Sequence, residues 1–260
     1  ELKTGVTAIK AKCNALEKLN IENLDFDLLK SPNNILGIEY AKAVIQSKAD
    51  IDLQPIIRKG AGYNDEVLYD EISSASAIRL AISEGKKKKV KKCVPDFVYN
   101  DLPDVLPSVD DLIFYAAIKS TGEQLEKVLD CTEGLENRIK ALTRDCDCLT
   151  CLVDKIKTKR YTKTRLNRIL LANMLGIDEK LVRRCLNSEL YLKILAVDKN
   201  KTEILSLLQG ENDVPILTRK SDFKKLSGVA KDCFLKDVTA MEIFDFAAKT
   251  RTNEFDMKII

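Results

Sequence analysis

Apolar residues recur every three or four positions along most of the chain, a spacing that predicts a largely helical protein. One amphipathic helix is expected over residues 4–20, and a second from Ile35 to about Ser47, with Asn33 or Asn34 as its cap. The buried stripe of this second helix is expected to consist of Ile35, Leu36, Ile38, Ala41 and Ile45. Another helix starts at Ser73, Ser74 or Ser76, and the remaining ones are expected over residues 110–119, 122–129, 135–143, 148–157, 164–175, 178–187 and 239–249.

Short β-prone runs interrupt this pattern at three places. Residues 53–57 form one run, which ends at Arg58, and residues 191–197 and 214–218 form two more. Because a helix over residues 202–208 separates the last two, the end of the chain predicts a small βαβ unit. Three prolines and few periodic residues mark the segment from Pro95 to Pro107, where we expect a domain boundary.

The amino-acid composition excludes several kinds of functional site. The 260 residues include no histidine, so this chain contains no histidine triad, histidine metal ligand or histidine general base. The formal net charge of +3 gives no whole-chain argument for nucleic acid. The eight cysteines follow no disulfide framework and are expected to be reduced thiols in a cytoplasmic protein. Since no apolar run is long enough to span a bilayer and no signal-peptide pattern is present, no membrane partner is expected.

Two short patterns place small polar residues before an apolar-periodic segment. They are Ser-Pro-Asn-Asn-Ile-Leu-Gly at 31–37 and Ser-Ser-Ala-Ser-Ala-Ile-Arg at 73–79, with Arg58 between them. The free N–H groups and partial positive charge of helix N-termini suit phosphates, and Arg79 would add a forked donor. The alternative is an ordinary pair of helix caps with solvated arginines, which for each pattern taken singly is the commoner case.

A strongly basic stretch runs from Lys155 to Arg168. It carries seven positive charges and no negative one, whereas a solvated helix face normally mixes both signs. Tyr161 offers a stacking face and the threonines add hydroxyl donors, which together favour a polyanion surface with RNA as the natural ligand. A solvated helix face remains the alternative. The run Lys86–Lys92 is also basic, but without further features it is interpreted as a solvated helix end or loop.

Four cysteines could form a zinc site. Cys146, Cys148 and Cys151 lie close together in the sequence, and Cys131 precedes them. However, the usual paired C-x-x-C knuckles are absent and the cluster falls within a helical pattern. Ordinary thiols are therefore favoured, and no structural metal is expected.

Taken together, these segments resemble one family. Five of them occur in the order found in the bacterial tRNA(Met) cytidine acetate ligases, which are nucleotidyltransferase-like. They are SPNNILGIEY at 31–40, Arg58 with the Gly-Tyr that follows, SASAIR at 74–79, GLENRI at 134–139 and KTKRYTKTRLNR at 157–168. The resemblance covers essentially the whole chain, although the last 70 residues match only in outline.

The resemblance implies an α/β plus α architecture that is mostly helical. Residues 1–95 would be the distal part, the C-terminal half, of a Rossmann-like nucleotidyltransferase domain. Residues 96–190 would form a helical domain with a basic tRNA-binding surface, and residues 191–260 a small α/β unit.

The resemblance also implies a reaction and its ligands. ATP, accompanied by Mg²⁺, would activate acetate as acetyl-adenylate, and the acetyl group would pass to the exocyclic amine of the wobble cytidine in elongator tRNA(Met). Asn33 and Arg58 match ATP-binding positions of the family. Ser74, Ser76 and Arg79 match a serine-rich motif whose usual form is Ser-Ser-Thr-x-x-Arg, from which this chain departs at its second and third positions. The tRNA-binding residues would be Lys157, Lys159, Arg160, Tyr161, Lys163, Arg165 and Arg168.

One feature of the family is missing from the sequence. Family members begin with a strand and an Asn-Pro-Phe-His-x-Gly-His-type loop that holds the nucleotide phosphates, and this chain has no histidine. Since adenylation depends on positioning and on charge stabilisation of the phosphates, the chain alone is expected to be inactive, and no catalytic residue is assigned. Two other functions stay open, a non-catalytic RNA-binding module and an adenylyltransferase that acts on a small molecule.

Overall fold

The structure is a computed structural model that describes residues 8–19, 26, 29, 31–57, 60, 65–70, 72–211, 214–252 and 257–260. The chain divides into two compact units, Glu1–Leu106 and Pro107–Ile260. This division falls at the end of the proline-containing segment in which a boundary is expected. The three expected domains, with their bounds near residues 95 and 190 and their roles, stay predictions.

Helices dominate both units, as the spacing of apolar residues predicts. Those of the first unit are α1 (Ala8–Glu17), α2 (Pro32–Ser47), α3 (Ala75–Ser83), α4 (Lys87–Val90) and α5 (Asp96–Asp101). Those of the second are α6 (Asp110–Lys119), α7 (Gly122–Glu126), α8 (Leu135–Thr143), α9 (Leu149–Ile156), α10 (Lys163–Leu175), α11 (Glu179–Leu186), α12 (Ile204–Glu211) and α13 (Gly228–Ala248). Within the described ranges, no helix is both long and apolar enough to cross a lipid bilayer.

A small apolar core organises the second half of the first unit. Ala81 and Ile82 of α3 are buried against Val90 of α4. The segment after α4 closes this core through side chains that are partly buried, among them Leu102 and Leu106. The core therefore fixes α3, whose N-terminus carries the expected serine-rich motif.

Helix α2 differs from its prediction at its start. It begins at Pro32, and Ser31 rather than Asn33 or Asn34 takes the extended N-cap conformation. A proline suits the first position of a helix, because the N–H it lacks would have no intrahelical acceptor.

The expected buried stripe of α2 is largely wrong. Leu36, Ile38 and Ile45 are exposed, while Ile35 and Ala41 are half-buried. Among the described residues, no helix or strand covers this face, so the periodicity that predicted the helix does not produce burial.

The strand predicted over residues 53–57 is also wrong. Leu53, Ile56 and Ile57 are exposed and the segment forms no strand, and Arg58 lies outside the described residues. A strand is stabilised by hydrogen bonds to a neighbouring strand, and the described part of the first unit contains none.

Four helices of the second unit, α6, α8, α9 and α10, enclose its main core. The side chains at its centre are fully buried and mostly aliphatic. They include Leu125, Leu135, Ile139, Leu152, Ile156, Leu166 and Leu170. This core holds α9 and α10 in place, and the basic stretch, residues 155–168, covers the end of α9, the turn after it and the start of α10.

The strands lie in the last 70 residues of the chain as short parallel pairs. They are β1 (Leu192–Lys193), β2 (Ala196–Val197), β3 (Ile216–Leu217) and β4 (Lys258–Ile259), with 3-10 turns at Lys199–Lys201 and Lys220–Lys225. Strand β1 pairs with β3 and β2 pairs with β4. Because α12 connects β1 to β3, the predicted βαβ unit is confirmed.

The last helix, α13, begins well before the predicted start near Thr239. It starts at Gly228, about three turns earlier, and this added part of the helix buries Ala230 and Phe234. The ring of Phe234 meets that of Tyr191 edge-on at 5.4 Å between centroids. This aromatic contact joins α13 to the β1 segment and extends the helix.

Candidate functional site

The loop before α3 determines where that helix begins. Ser74 is buried and takes the N-cap position; its hydroxyl oxygen accepts the N–H of Ala77 at 3.0 Å, and its proton goes to the carbonyl of Asp65. The hydroxyl of Ser73 accepts the N–H of Tyr69 at 2.8 Å and donates to its carbonyl at 3.1 Å. Ser74 is one of the expected ATP-binding residues, but its hydroxyl already makes two hydrogen bonds within the protein.

Ser76 and Arg79 are one helical turn apart on α3 and are differently placed. Ser76 is half-buried and Arg79 is exposed, and neither side chain bonds to another described residue. The first N–H groups of a helix have no intrahelical acceptor and carry partial positive charge. Together these groups offer donors that suit a phosphate.

Asn33, another of the expected ATP-binding residues, is not brought into this group. Asn33 is exposed in the first turn of α2 and makes no hydrogen bond to a described residue of α3. Arg58 and Lys59 lie outside the described residues. A single pocket that contains all five residues therefore stays a prediction.

A cleft of about 460 Å³ opens beside α3. Ser76 and Arg79 do not line this cleft. Four lysines of the 86–92 run and three carboxylates line it. Lys86 pairs with Glu84 at 2.6 Å, and Lys87 pairs with Asp104 at 3.0 Å. This mixture of charges agrees with the interpretation of the run as a solvated helix end.

The basic stretch of the second unit lies against the connector between α7 and α8, residues 127–134. Asp130 and Glu133 have left-handed backbone, with φ of 68° and 65°, which side chains other than glycine rarely adopt. The Arg165 guanidinium donates to the Asp130 carbonyl from Nε at 3.1 Å and also from Nη2. The Tyr161 hydroxyl donates to the Glu133 carbonyl at 3.4 Å. These bonds hold the connector in its unusual conformation.

The arginines of the stretch also pair with the connector's carboxylates. Arg160 forms an ion pair with Glu133, and its hydrogen bond lowers the pKa of that carboxyl. Arg168 pairs with the Asp130 carboxylate at 3.3 Å. Since Lys155 donates to the Asp145 carbonyl at 2.5 Å, four of the seven positive groups already have acceptors within the protein.

The three remaining cations are Lys157, Lys159 and Lys163. All three are exposed, and none of their side chains bonds to another described residue. They surround the turn between α9 and α10, where the Thr158 hydroxyl accepts the Tyr161 N–H at 3.0 Å. Positive charge near the N-terminus of α10 opposes the helix dipole, so an approaching anion would relieve an unfavourable interaction.

Tyr161 does not present the stacking face that the sequence suggests. Its ring is 9% exposed, and the Arg165 guanidinium lies 5.5 Å from the ring centroid. A platform for a base needs an open face, so the observed burial contradicts that role. The side chain instead fixes the turn between α9 and α10.

Sequence reasoning missed the importance of Asp130 and Glu133. Both lie in the segment Asp-Cys-Thr-Glu-Gly of residues 130–134. Its last residue, Gly134, has a φ of 79°. A turn with two carboxylates is a natural partner for an excess of cations elsewhere in the chain. That pairing was not visible from spacing, because about 30 residues separate the two segments.

The clustered cysteines lie at the start of α9. The Sγ atoms of Cys146 and Cys151 are 3.1 Å apart, and burial is the largest cause that raises the pKa of Cys146 to about 11. Cys131 is buried in the main core, which likewise raises its pKa to about 11. No three cysteine or carboxylate side chains in the described ranges are arranged to hold a metal ion.

Comparison with known proteins identifies similar sequences. The family model described as HIGH Nucleotidyl Transferase matches residues 1–258. A tRNA(Met) cytidine acetate ligase of Kosmotoga olearia is 30% identical over 291 aligned positions, which cover 100% of this chain and 68% of that protein. Those of Clostridium perfringens and Caldanaerobacter subterraneus are 34% and 32% identical, and each alignment covers 94% of this chain. The chain spans 62% of the length of these last two relatives.

Two solved structures share the fold. Thermotoga maritima TmcAL in its apo form superposes with a TM-score of 0.85 at 22% identity, over 99% of this chain and 68% of that one. The form bound with alpha-thio ATP gives a TM-score of 0.82 at 21% identity with the same coverage. At this identity the likeness shows the fold, and it confirms the expected nucleotidyltransferase-like, mostly helical architecture.

Ser74 and Ser76, at the start of α3, should differ in their effect on stability when each is replaced by alanine. Ser74→Ala should lower the free energy of unfolding by about 1 kcal/mol, because the helix cap is lost and the half-buried Asp65 carbonyl loses its donor. Ser76→Ala, the matched control, should stay within about 0.5 kcal/mol. Urea denaturation followed by circular dichroism measures both, and equal losses would contradict the structural role of Ser74.

Arg165 and Arg168 should likewise differ when each is replaced by lysine. Arg165→Lys loses the fork that holds the Asp130 carbonyl and should cost about 1–2 kcal/mol. Arg168→Lys changes one exposed ion pair and should cost under about 0.5 kcal/mol. If thermal unfolding gives the same loss for both variants, Arg165 does not hold the connector.

Proposed function

Because this chain belongs to the HIGH nucleotidyl transferase family, and within it to the tRNA(Met) cytidine acetate ligases, we propose that it takes part in ATP-dependent acetylation of the wobble cytidine of elongator tRNA(Met). The observation that carries the proposal is the similarity to the Kosmotoga olearia ligase over the whole of this chain. The free lysines at the turn between α9 and α10 support it independently. The reaction would take place in the cytoplasm, where tRNA is used.

ATP binds, in this proposal, through the start of α3. Ser76, Arg79 and the first N–H groups of the helix hold phosphate oxygens, Asn33 and Arg58 contribute from the preceding segments, and Ser74 fixes the helix start. Mg²⁺ accompanies the phosphates, because a hard cation prefers their oxygen atoms.

Acetate is activated and then transferred. A carboxylate oxygen of acetate attacks the α-phosphorus of ATP, and pyrophosphate leaves to give acetyl-adenylate. The exocyclic nitrogen of the cytidine then attacks the acetyl carbonyl carbon, AMP leaves, and the nitrogen gives up one proton. Donors at α3 assist the first step, since they stabilise the charge that moves onto the phosphates.

The tRNA backbone binds at the turn between α9 and α10. Lys157, Lys159 and Lys163 supply charges that no described residue neutralises, and the connector of residues 127–134 holds the turn behind them. The contacts are to phosphates, so they position the tRNA without reading its sequence.

Salt dependence tests the tRNA surface. Lys157, Lys159 and Lys163 together changed to alanine should reduce the slope of log affinity against log salt by roughly two to three, about one for each lost phosphate contact. The matched control changes Lys88, Lys89 and Lys92 of the first unit, which removes the same charge. Filter binding with elongator tRNA(Met) measures both, and an equal reduction in the control would place the tRNA elsewhere.

The reaction itself is tested with the product of the complete gene. Incubation with ATP, acetate and elongator tRNA(Met) should give N4-acetylcytidine, detected by mass spectrometry of the nucleosides, and Arg79→Ala should raise the KM for ATP by roughly tenfold. Binding of tRNA without acetylcytidine would favour an RNA-binding module. Pyrophosphate exchange that depends on an added small-molecule acceptor other than acetate, and does not need tRNA, would favour a small-molecule adenylyltransferase.

A further inference from the structure

A second candidate site lies in the second unit, and Lys157, Lys159 and Lys163 are not part of it. It is a pocket of about 490 Å³ formed by the end of α6, the start of α7, the end of α10 and one residue of α13. Tyr115, Lys119, Ser120, Lys127, Asn173 and Met174 are among the residues that line it. The proposed ATP and tRNA contacts use none of these residues.

Asn173 has an amide atom without a partner in this pocket. Its Oδ1 accepts the Ser120 hydroxyl at 3.0 Å, and its Nδ2 is buried without a hydrogen bond in the described structure. If the amide is turned over, Nδ2 donates to Ser120, whose proton then goes to the Ala116 carbonyl at 2.8 Å, and Oδ1 is left without a donor. In either orientation one polar atom remains without a hydrogen-bond partner, which is unusual for a buried atom.

The other residues that line the pocket suit a ligand that combines an aromatic ring with phosphate groups. The Tyr115 side chain is 60% exposed, so one face of its ring is open for stacking. Lys119 and Lys127 supply positive charge. Lys127 also lines the adjoining groove with Lys180, Arg183 and Arg184.

Three acidic groups border this path, and all are engaged. Asp178 accepts the Leu181 N–H at 2.7 Å as the cap of α11, Glu179 pairs with Arg183, and Asp232 pairs with Arg184 at 3.1 Å. Lys119, Lys127 and Lys180 are therefore the cations of the path that are left for a ligand. The pocket and the groove together therefore offer a stacking face, an amide edge and a cationic path, which are the features that recognise an unstacked nucleotide within a strand.

We propose that this pocket binds one unstacked base of the bound RNA. Tyr115 stacks on the base, the Asn173 amide bonds to its polar edge, and Lys119 and Lys127 contact the flanking phosphates. This inference rests on the proposed function, because it takes tRNA as the partner.

Tyr115→Ala and Asn173→Ala test the pocket in the whole chain. Each should weaken binding of elongator tRNA(Met) by roughly tenfold at every salt concentration, as the loss of one stacked base does. The salt slope should stay unchanged, because no phosphate contact is removed. Phe97→Ala and Asn137→Ala, which change an exposed aromatic and an exposed amide outside the pocket, serve as controls.

Wild-type affinity in the Tyr115→Ala protein would overturn the inference, as would equal losses in the controls. Because Tyr115 is exposed, this variant should keep the fold even if Asn173→Ala does not. If the unmodified chain shows no salt-dependent affinity for tRNA, the proposed function fails instead.

A second measurement identifies the ligand directly. NMR spectra should show the Asn173 side-chain amide shifting when a five-nucleotide single-stranded RNA is added, and shifting far less with the same concentration of CMP or AMP. Equal affinity for the mononucleotides would mean that the site takes a free nucleotide, which would overturn the RNA proposal. No shift with any of these probes would overturn it as well.

Discussion

The conformation of the connector, residues 127–134, and its attachment to the start of α10 depend on the hydrogen bonds from Arg165 to the Asp130 carbonyl. That carbonyl belongs to a residue in the left-handed region, a conformation that costs on the order of 1 kcal/mol or more unless the surroundings hold it. The guanidinium joins the start of α10 to the connector after α7, and Tyr161 and Arg160 make a second attachment at Glu133. The turn that carries the free lysines is therefore fixed before any ligand arrives.

Within the basic stretch, the arginines and the lysines therefore have different roles. Arginine has a planar fork that matches carbonyls and carboxylates, and here Arg160, Arg165 and Arg168 are engaged within the protein. Lysine carries a compact charge on a flexible stem, and Lys157, Lys159 and Lys163 remain exposed. A polyanion that binds here meets a preformed surface and does not need to break the ion pairs of the arginines.

Much of the fold could be predicted from the sequence, because helices are largely determined by local spacing and caps. Helices α6 and α8 have the bounds that their apolar periodicity predicts, and the parallel pair of β1 and β3 with α12 between them was also expected. The strand at residues 53–57 and the buried stripe of α2 were wrong, since β-propensity and amphipathicity produce pairing and burial only where a partner is present. The roles of Asp130 and Tyr161 could not be predicted, because they arise from contacts between residues about 30 positions apart.

The central claim is that the lysines of the basic stretch, and not its arginines, are left to bind tRNA. Amine-reactive labelling of the chain with and without elongator tRNA(Met), followed by mass spectrometry, tests this most directly. We expect tRNA to protect Lys157, Lys159 and Lys163, while Lys88, Lys89 and Lys92 react as they do in the free protein. Unchanged labelling at the turn between α9 and α10 in the presence of saturating tRNA would contradict it.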